Sequence, residues 1–179
     1  MDMHDNAHRA VFFTNVLENQ EPELAEILTR FAFKEIPARA PLDSKLIHLT
    51  TVACLAATGG AQIFRAAIMA ALDGGVPPVE IREALYQAIP YAGFGKIFDP
   101  LLEADHIMQE QGIALPLTGQ STTSPDTREA HGLKLQKKLF GNDIDKMREN
   151  MKGDLEAIPY FLAANCFGDY CTRSGLDTR

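Results

Sequence analysis

The chain has 179 residues, of which 46% are hydrophobic and 8% aromatic, enough to bury an ordinary core in one or two small domains. A formal net charge of -7, with 17 lysines and arginines that never gather into a run, leaves no basic footprint for a phosphate backbone, so no nucleic acid is expected as a partner. No stretch reaches the roughly 18 to 20 apolar residues that span a bilayer, and the acidic start Met1-Asp2-Met3-His4-Asp5 does not read as a signal peptide, so no membrane association is expected and a cytoplasmic setting is.

Apolar residues at three- and four-residue steps predict two opening helices, over 7–18 (Val11, Phe12, Val16) and 22–36 (Leu24, Ile27, Leu28, Phe31). Asp43 or Ser44 can cap the next helix. Its apolar positions Leu46, Leu49, Val52, Ala53, Leu55 and Ala56 cover a wide face before Gly59-Gly60 stops it. Segment 61–73 is rich in alanine, which lets its backbone approach a neighbour closely, and Gly74-Gly75 supplies the left-handed conformations that end it. The pair predicts a central helical hairpin over 45–73.

Pro77-Pro78 opens a further helix where a missing N–H costs nothing, with Glu80 in its first turn and Ile81, Leu85, Ala88 and Ile89 on its buried face. Pro90 predicts a bend, Tyr91 to Gly95 a corner, and the fourth core helix runs from about 96 to 111, burying Ile97, Leu101, Ala104 and Met108. Residues 113–126, with Pro116, Gly119, Ser121, Thr122, Thr123, Ser124 and Pro125, have no period and a linker composition. The expected organisation is therefore a unit over 1–112, a linker over 113–126 and a second unit over 127–179. Helices are predicted there over 127–140, stopped by Gly141, and over 154–171.

The last region repeats the first. A shift of 134 residues superimposes Leu28 on Leu162, Phe33 on Phe167, Arg39 on Arg173, Leu42 on Leu176 and Asp43 on Asp177. The second copy stops where its own core hairpin should begin, so the expected all-α fold holds one complete helical unit and a partial internal repeat.

Five stretches now stand in order: Leu42-Asp43-Ser44-Lys45, Phe64-Arg65-Ala66-Ala67, Gly74-Gly75-Val76, Glu80-Ile81-Arg82-Glu83-Ala84-Leu85 and Pro90-Tyr91-Ala92-Gly93-Phe94. On these the chain resembles the carboxymuconolactone decarboxylase family, to which the alkyl hydroperoxidase D proteins also belong. The resemblance implies the alkyl hydroperoxidase D-like helical fold, homo-oligomers (trimers or hexamers), and a small-molecule carboxylate or lactone as substrate. It also implies either acid–base, lyase-type chemistry or thiol peroxidase (peroxiredoxin) activity.

In the hydroperoxidase branch a Glu, a Cys-x-x-Cys and a His form a proton relay to a thiolate, since a thiol must lose its proton to attack a peroxide. By the resemblance those positions fall on His48, on Gly60 and Ile63, and on Ala67. The decarboxylase branch keeps the His for acid–base work, and that position is again Ala67.

Four residues remain as candidates. His48, an imidazole on an apolar helix, is either a general base near neutral pH or a hydrogen-bonded interface residue. Arg65 matches an Arg of the decarboxylase pattern and either clamps a substrate carboxylate or bridges helices, with Glu83 as the expected partner. Glu83 and Tyr91 lie in family motifs at the far end of the hairpin. Each either supports the fold, Glu83 by pairing and Tyr91 by packing its ring, or lines a pocket.

Three cysteines without a framework spacing suit a reducing compartment. Cys54 reads as a small buried hydrophobe. Cys166 and Cys171, on a continuous α-helix, would diverge by about 140° with a rise of roughly 7.5 Å. That places them beyond disulfide reach unless the helix is broken. His4 and His8 have metal-binding spacing without a third ligand, His106 and His131 stand alone, and no cofactor or metal is expected. Three functions are carried forward: a decarboxylase-like enzyme with His48 as base and Arg65 as anion clamp, a catalytically silent scaffold or binding subunit, and a thiol peroxidase.

Overall fold

The computed structural model describes residues 17–39 and 42–177, and every regular element among them is helical. Most of the helix expected over 7–18, the pair His4 and His8, and Arg179 lie outside the described residues. Helix α1 (Pro22–Arg30) runs through a π-helical turn, Phe31–Glu35, into the short α2 (Ile36–Arg39).

The central hairpin forms as its capping residues dictate. Asp43 accepts a hydrogen bond from the Leu46 N–H at 2.8 Å and starts α3 (Ser44–Thr58). Gly59 and Gly60, at φ 91° and 116°, then reverse the chain into α4 (Ala61–Asp73), a conformation that a Cβ would strain. Helix α5 (Pro78–Ala92) follows, with Glu80 in its first turn, and then α6 (Phe94–Glu110).

The bend expected at Pro90 is displaced. Pro90 lies inside the last turn of α5, and the chain turns at Gly93, φ 91°, so α6 begins two residues before its expected start. A proline so near a helix end removes little hydrogen bonding, whereas the reversal itself needs a residue free to take positive φ. Helices α3 to α6 enclose one core, in which Val52, Ile68, Ile81, Leu85, Ile97, Ile107 and Met108 are fully buried. Each such side chain contributes roughly 1.5–3 kcal/mol on burial.

Residues 113–126 contain no helix, yet they are pinned down. Ile113 and Leu117 pack against the core, and the Arg82 guanidinium donates to the Leu117 carbonyl at 2.9 Å and the Thr118 carbonyl at 2.7 Å. On the other side the Ser174 N–H donates to the Gln120 carbonyl at 3.0 Å.

Beyond come α7 (Arg128–Phe140), α8 (Asp143–Asn150), a 3-10 turn (Gly153–Leu155), α9 (Ala157–Phe161) and a second π-helix, Leu162–Cys171. The single helix expected over 154–171 is thus three pieces, and α8 was not anticipated. The second π-helix lies chiefly on α7 and also touches α5. Gly132 and Gly168 let the backbones meet: a Cβ at Gly132 would collide with the Ala163 carbonyl, and one at Gly168 with the Arg128 carbonyl.

The 134-residue shift carries the first π-helical turn, Phe31–Glu35, onto residues 165–169, inside the second π-helix. The second π-helix is seated on α7 and α5, while Leu24 and Ile27 on α1 and Phe31 at the start of the π-helical turn are 45%, 45% and 55% exposed.

Candidate functional site

A cavity of about 590 Å³ opens where the hairpin turns, floored by Leu55, Ala56, Gly59, Gly60 and Phe64. Arg65, from the first turns of α4, brings charge to it, as do Lys96, Asp99 and Glu103 from α6. The Arg65 guanidinium donates to Glu103 Oε1 at 2.8 Å and to the Glu110 carboxylate. Its hydrogen bonds to these two acids, Glu103 first, raise its pKa above the ordinary arginine value. The pairing expected with Glu83 does not occur, because α4 presents Arg65 to α6. Lys96, Asp99 and Glu103 escaped the sequence reading, although their spacing of three and four residues on one helix was a usable signal.

His48 is placed elsewhere. It is only 4% exposed, in the second turn of α3, with its ring against the end of α4: a Cβ on Gly74 would stand 2.7 Å from His48 Nε2. The two helices are antiparallel, so this is the end of the hairpin away from Gly59-Gly60, and the cavity that Arg65 lines does not include His48. His48 and Arg65 are not brought together.

Glu83 is buried to 1% exposure and held by two cations. Arg173 donates to it through Nε at 2.5 Å and Nη2 at 3.0 Å, and Arg82 through Nη2 at 3.2 Å. The Tyr86 ring lies beneath both guanidinium groups, 5.0 Å from Arg173 Cζ and 5.6 Å from Arg82 Cζ. The hydrogen bond to Glu83 raises the Arg173 pKa. Beside this cluster a second cavity, about 450 Å³, lies between α3, α5 and residues 174–177, with Lys45, Glu80 and Gln87 among its polar walls. Lys45 Nζ and Glu80 Oε2 pair across its mouth at 3.0 Å.

Tyr91 does not pack its ring: it is 75% exposed, on the last turn of α5 just before the chain turns at Gly93. Its hydroxyl neighbours Cys166 and Cys171, and its pKa is raised, first by partial desolvation and then by those thiols. Cys54 is exposed, against expectation. Val52 and Ala56 carry the buried stripe of α3, and Cys54 falls between them on the other side.

Cys166 is buried and Cys171 partly so. The Cys171 thiol donates to Gln87 Oε1 at 3.6 Å, and Gln87 Nε2 donates to the Tyr170 carbonyl at 2.6 Å. Burial, with Cys166 beside it, pushes the Cys171 thiol up to about 11. The divergence expected of these two cysteines assumed an α-helix, and the segment is π-helical.

His106 is exposed beside Glu110, and His131 is exposed. No cluster of potential metal ligands occurs among the described residues.

Compared with known families, residues 22–105, from α1 into α6, match the model of the Carboxymuconolactone decarboxylase family. No curated protein and no solved structure matches the chain.

Proposed function

Residues 22–105 belong to the carboxymuconolactone decarboxylase family, and on that premise we propose that the chain keeps the family frame as a binding subunit for a small carboxylated ligand. The ligand occupies the cavity at Gly59-Gly60. The observation that carries this reading is the pairing of Arg65 with Glu103 and Glu110, which fixes the guanidinium at the cavity wall, while Lys96 stands there without an ion pair among the described residues. A fixed guanidinium and a second cation suit a carboxylate. The resemblance aligns Gly60, Ile63 and Ala67 with the family's thiols and imidazole, and none of these can move a proton.

Decarboxylase-like acid–base chemistry on a carboxylate or lactone is the second reading. It is favoured by the carboxyls of Asp99 and Glu103 in the same cavity, which could exchange protons with a ligand held by Arg65. His48, buried at the other end of the hairpin, does not line that cavity. A thiol peroxidase working through the hairpin has no sulfur at Gly60 or Ile63 with which to begin.

The same frame is proposed to associate with further copies of itself. The stripe Leu24, Ile27 and Phe31, on α1 and the turn that follows it, is exposed.

Calorimetric titration of the full chain with adipate and with carboxymuconolactone tests the binding reading, and carbon dioxide release from the lactone tests the enzymatic one. Binding that Arg65→Ala and Lys96→Ala abolish, without turnover, supports the first. Turnover lost in Asp99→Asn or Glu103→Gln favours the second, and binding indifferent to Arg65 and Lys96 removes both from this cavity.

A further inference from the structure

We infer that the ligand of the hairpin cavity is an α-amino acid with an apolar side chain, its carboxylate set against Arg65 and Lys96 and its ammonium against Asp99. The inference rests on the binding reading above and narrows the ligand from a carboxylate to a zwitterion.

The cavity walls carry both signs. Arg65 and Lys96 line it together with Asp99 and Glu103, so the lining has no surplus of positive charge. The Arg65 guanidinium is already met by Glu103 through Nη1 and by Glu110 through Nη2, and with five N–H groups it keeps donors for a ligand. Lys96 and Asp99 make no ion pair or side-chain hydrogen bond, with each other or with a neighbour, among the described residues. A plain carboxylate would answer the cations but set its own charge near that of Asp99, where like charges repel. A ligand that also brings an ammonium answers Asp99 as well.

The spacing fits two opposite charges carried on one carbon atom. Lys96 and Asp99 are three residues apart on α6, hence on the same face with a rise of about 4.5 Å between them. Glu103 stands one turn further along and holds Arg65 there. Asp99 is thus flanked by Lys96 one turn before it and by the guanidinium one turn after. An ammonium at Asp99 leaves the carboxylate of the same molecule within reach of either cation.

The rest of the cavity suits an apolar side chain. Leu55, Ala56 and Phe64 form an apolar floor, and Gly59 and Gly60 leave it open, since a Cβ on either would meet nothing within 4 Å. Helix α4 starts at this wall with Gly60 as its N-cap and no side-chain cap, so the positive end of its dipole adds to the side that takes the carboxylate.

The test titrates the full chain calorimetrically with leucine, with isocaproate, which is leucine without its amino group, and with isoamylamine, which is leucine without its carboxylate. Leucine should bind about tenfold or more tightly than either analogue, as one charge-assisted hydrogen bond provides. In Asp99→Asn the advantage over isocaproate should vanish while isocaproate itself binds no more weakly, and in Asp99→Lys the preference should invert. Asp99 is exposed, so neither change disturbs the core, and an unaltered dichroism spectrum checks this. Arg65→Ala and Lys96→Ala should weaken leucine and isocaproate together. Isocaproate bound as tightly as leucine by the wild-type chain overturns the inference, and if that binding still falls in Arg65→Ala and Lys96→Ala the broader carboxylate reading stands without it. A leucine advantage that survives Asp99→Asn, isoamylamine equal to leucine, or no binding of leucine overturns it as well.

Discussion

Arg173 grips Glu83 through two hydrogen bonds, Nε to Oε2 at 2.5 Å and Nη2 to Oε1 at 3.0 Å, and thereby ties the C-terminal segment to the buried centre of α5. Ninety positions separate the two residues in the chain. With Glu83 1% exposed, its charge is tolerable only because two guanidinium groups and the Tyr86 ring surround it.

Removing one partner of such a pair leaves a buried charge uncompensated. Arg173→Ala is expected to destabilise the chain by about 3 kcal/mol, and Glu83→Ala by a similar amount, with the double variant losing much less than their sum. Urea denaturation of the four chains measures the coupling. Additive losses would mean that the contact does not hold the two segments together.

The seam between α7 and the second π-helix depends on two residues without side chains. Gly132→Ala or Gly168→Ala forces a methyl group into a facing carbonyl, at an expected loss of about 1–3 kcal/mol or more. In a chain of this size that lowers Tm by roughly 2–4 °C per kcal/mol. Differential scanning calorimetry reads the change, and Gly119→Ala, where a Cβ meets nothing, serves as the control.

The Cys171 thiol makes stability fall at alkaline pH. Its proton is held more tightly in the folded chain, about 11, than at the ordinary value of 9.0, so its contribution is complete below 9.0 and is lost as pH rises through about 11. Tyr91 and Tyr170, also raised, act in the same direction at higher pH. Cys171→Ser should flatten the decline across that window relative to wild type, as followed by denaturant midpoints at several pH values. An unchanged slope would refute the assignment of the decline to this thiol.

At the hairpin cavity, Arg65→Ala should weaken binding of adipate about tenfold or more, in keeping with ~1.5–3 kcal/mol for a hydrogen bond to a charged group. Arg65→Lys should restore charge but not the bidentate geometry, and so recover only part of the affinity. Titration calorimetry distinguishes the three chains. Equal affinities would place the ligand away from Arg65.

Phe31→Glu puts a charge into the exposed stripe that runs from α1 into the π-helical turn. If copies associate through that stripe, light scattering behind size exclusion should show the variant at a smaller mass than wild type, with the helical dichroism unchanged. A mass that does not move would exclude the stripe from the contact.

Much of the frame was legible because its signals are local. The cap at Asp43, the reversals at Gly59-Gly60 and Gly74-Gly75, and the proline start of α5 each depend on a few neighbouring residues, and the hairpin they predict is the one observed. Two of the side-chain roles were misread for one reason: periodicity says which face a helix buries, not what stands opposite. Arg65 meets Glu103 and Glu110 rather than Glu83, and Cys54 lies off the buried stripe. Tyr91 is exposed on the last turn of α5, which continues past Pro90 to the turn at Gly93.

By itself, then, the order of caps, glycines and apolar steps determined an all-α chain with a central hairpin, since each helix end is chosen by contacts within a turn or two. The partner of Glu83 and the cations and acids gathered at one cavity were decided only in three dimensions. The π-helical register of the last segment is of that second kind. Its backbone lies directly on α7 at Gly132 and Gly168, and such a close approach between segments distant in the chain leaves no trace in the hydrophobic period of either.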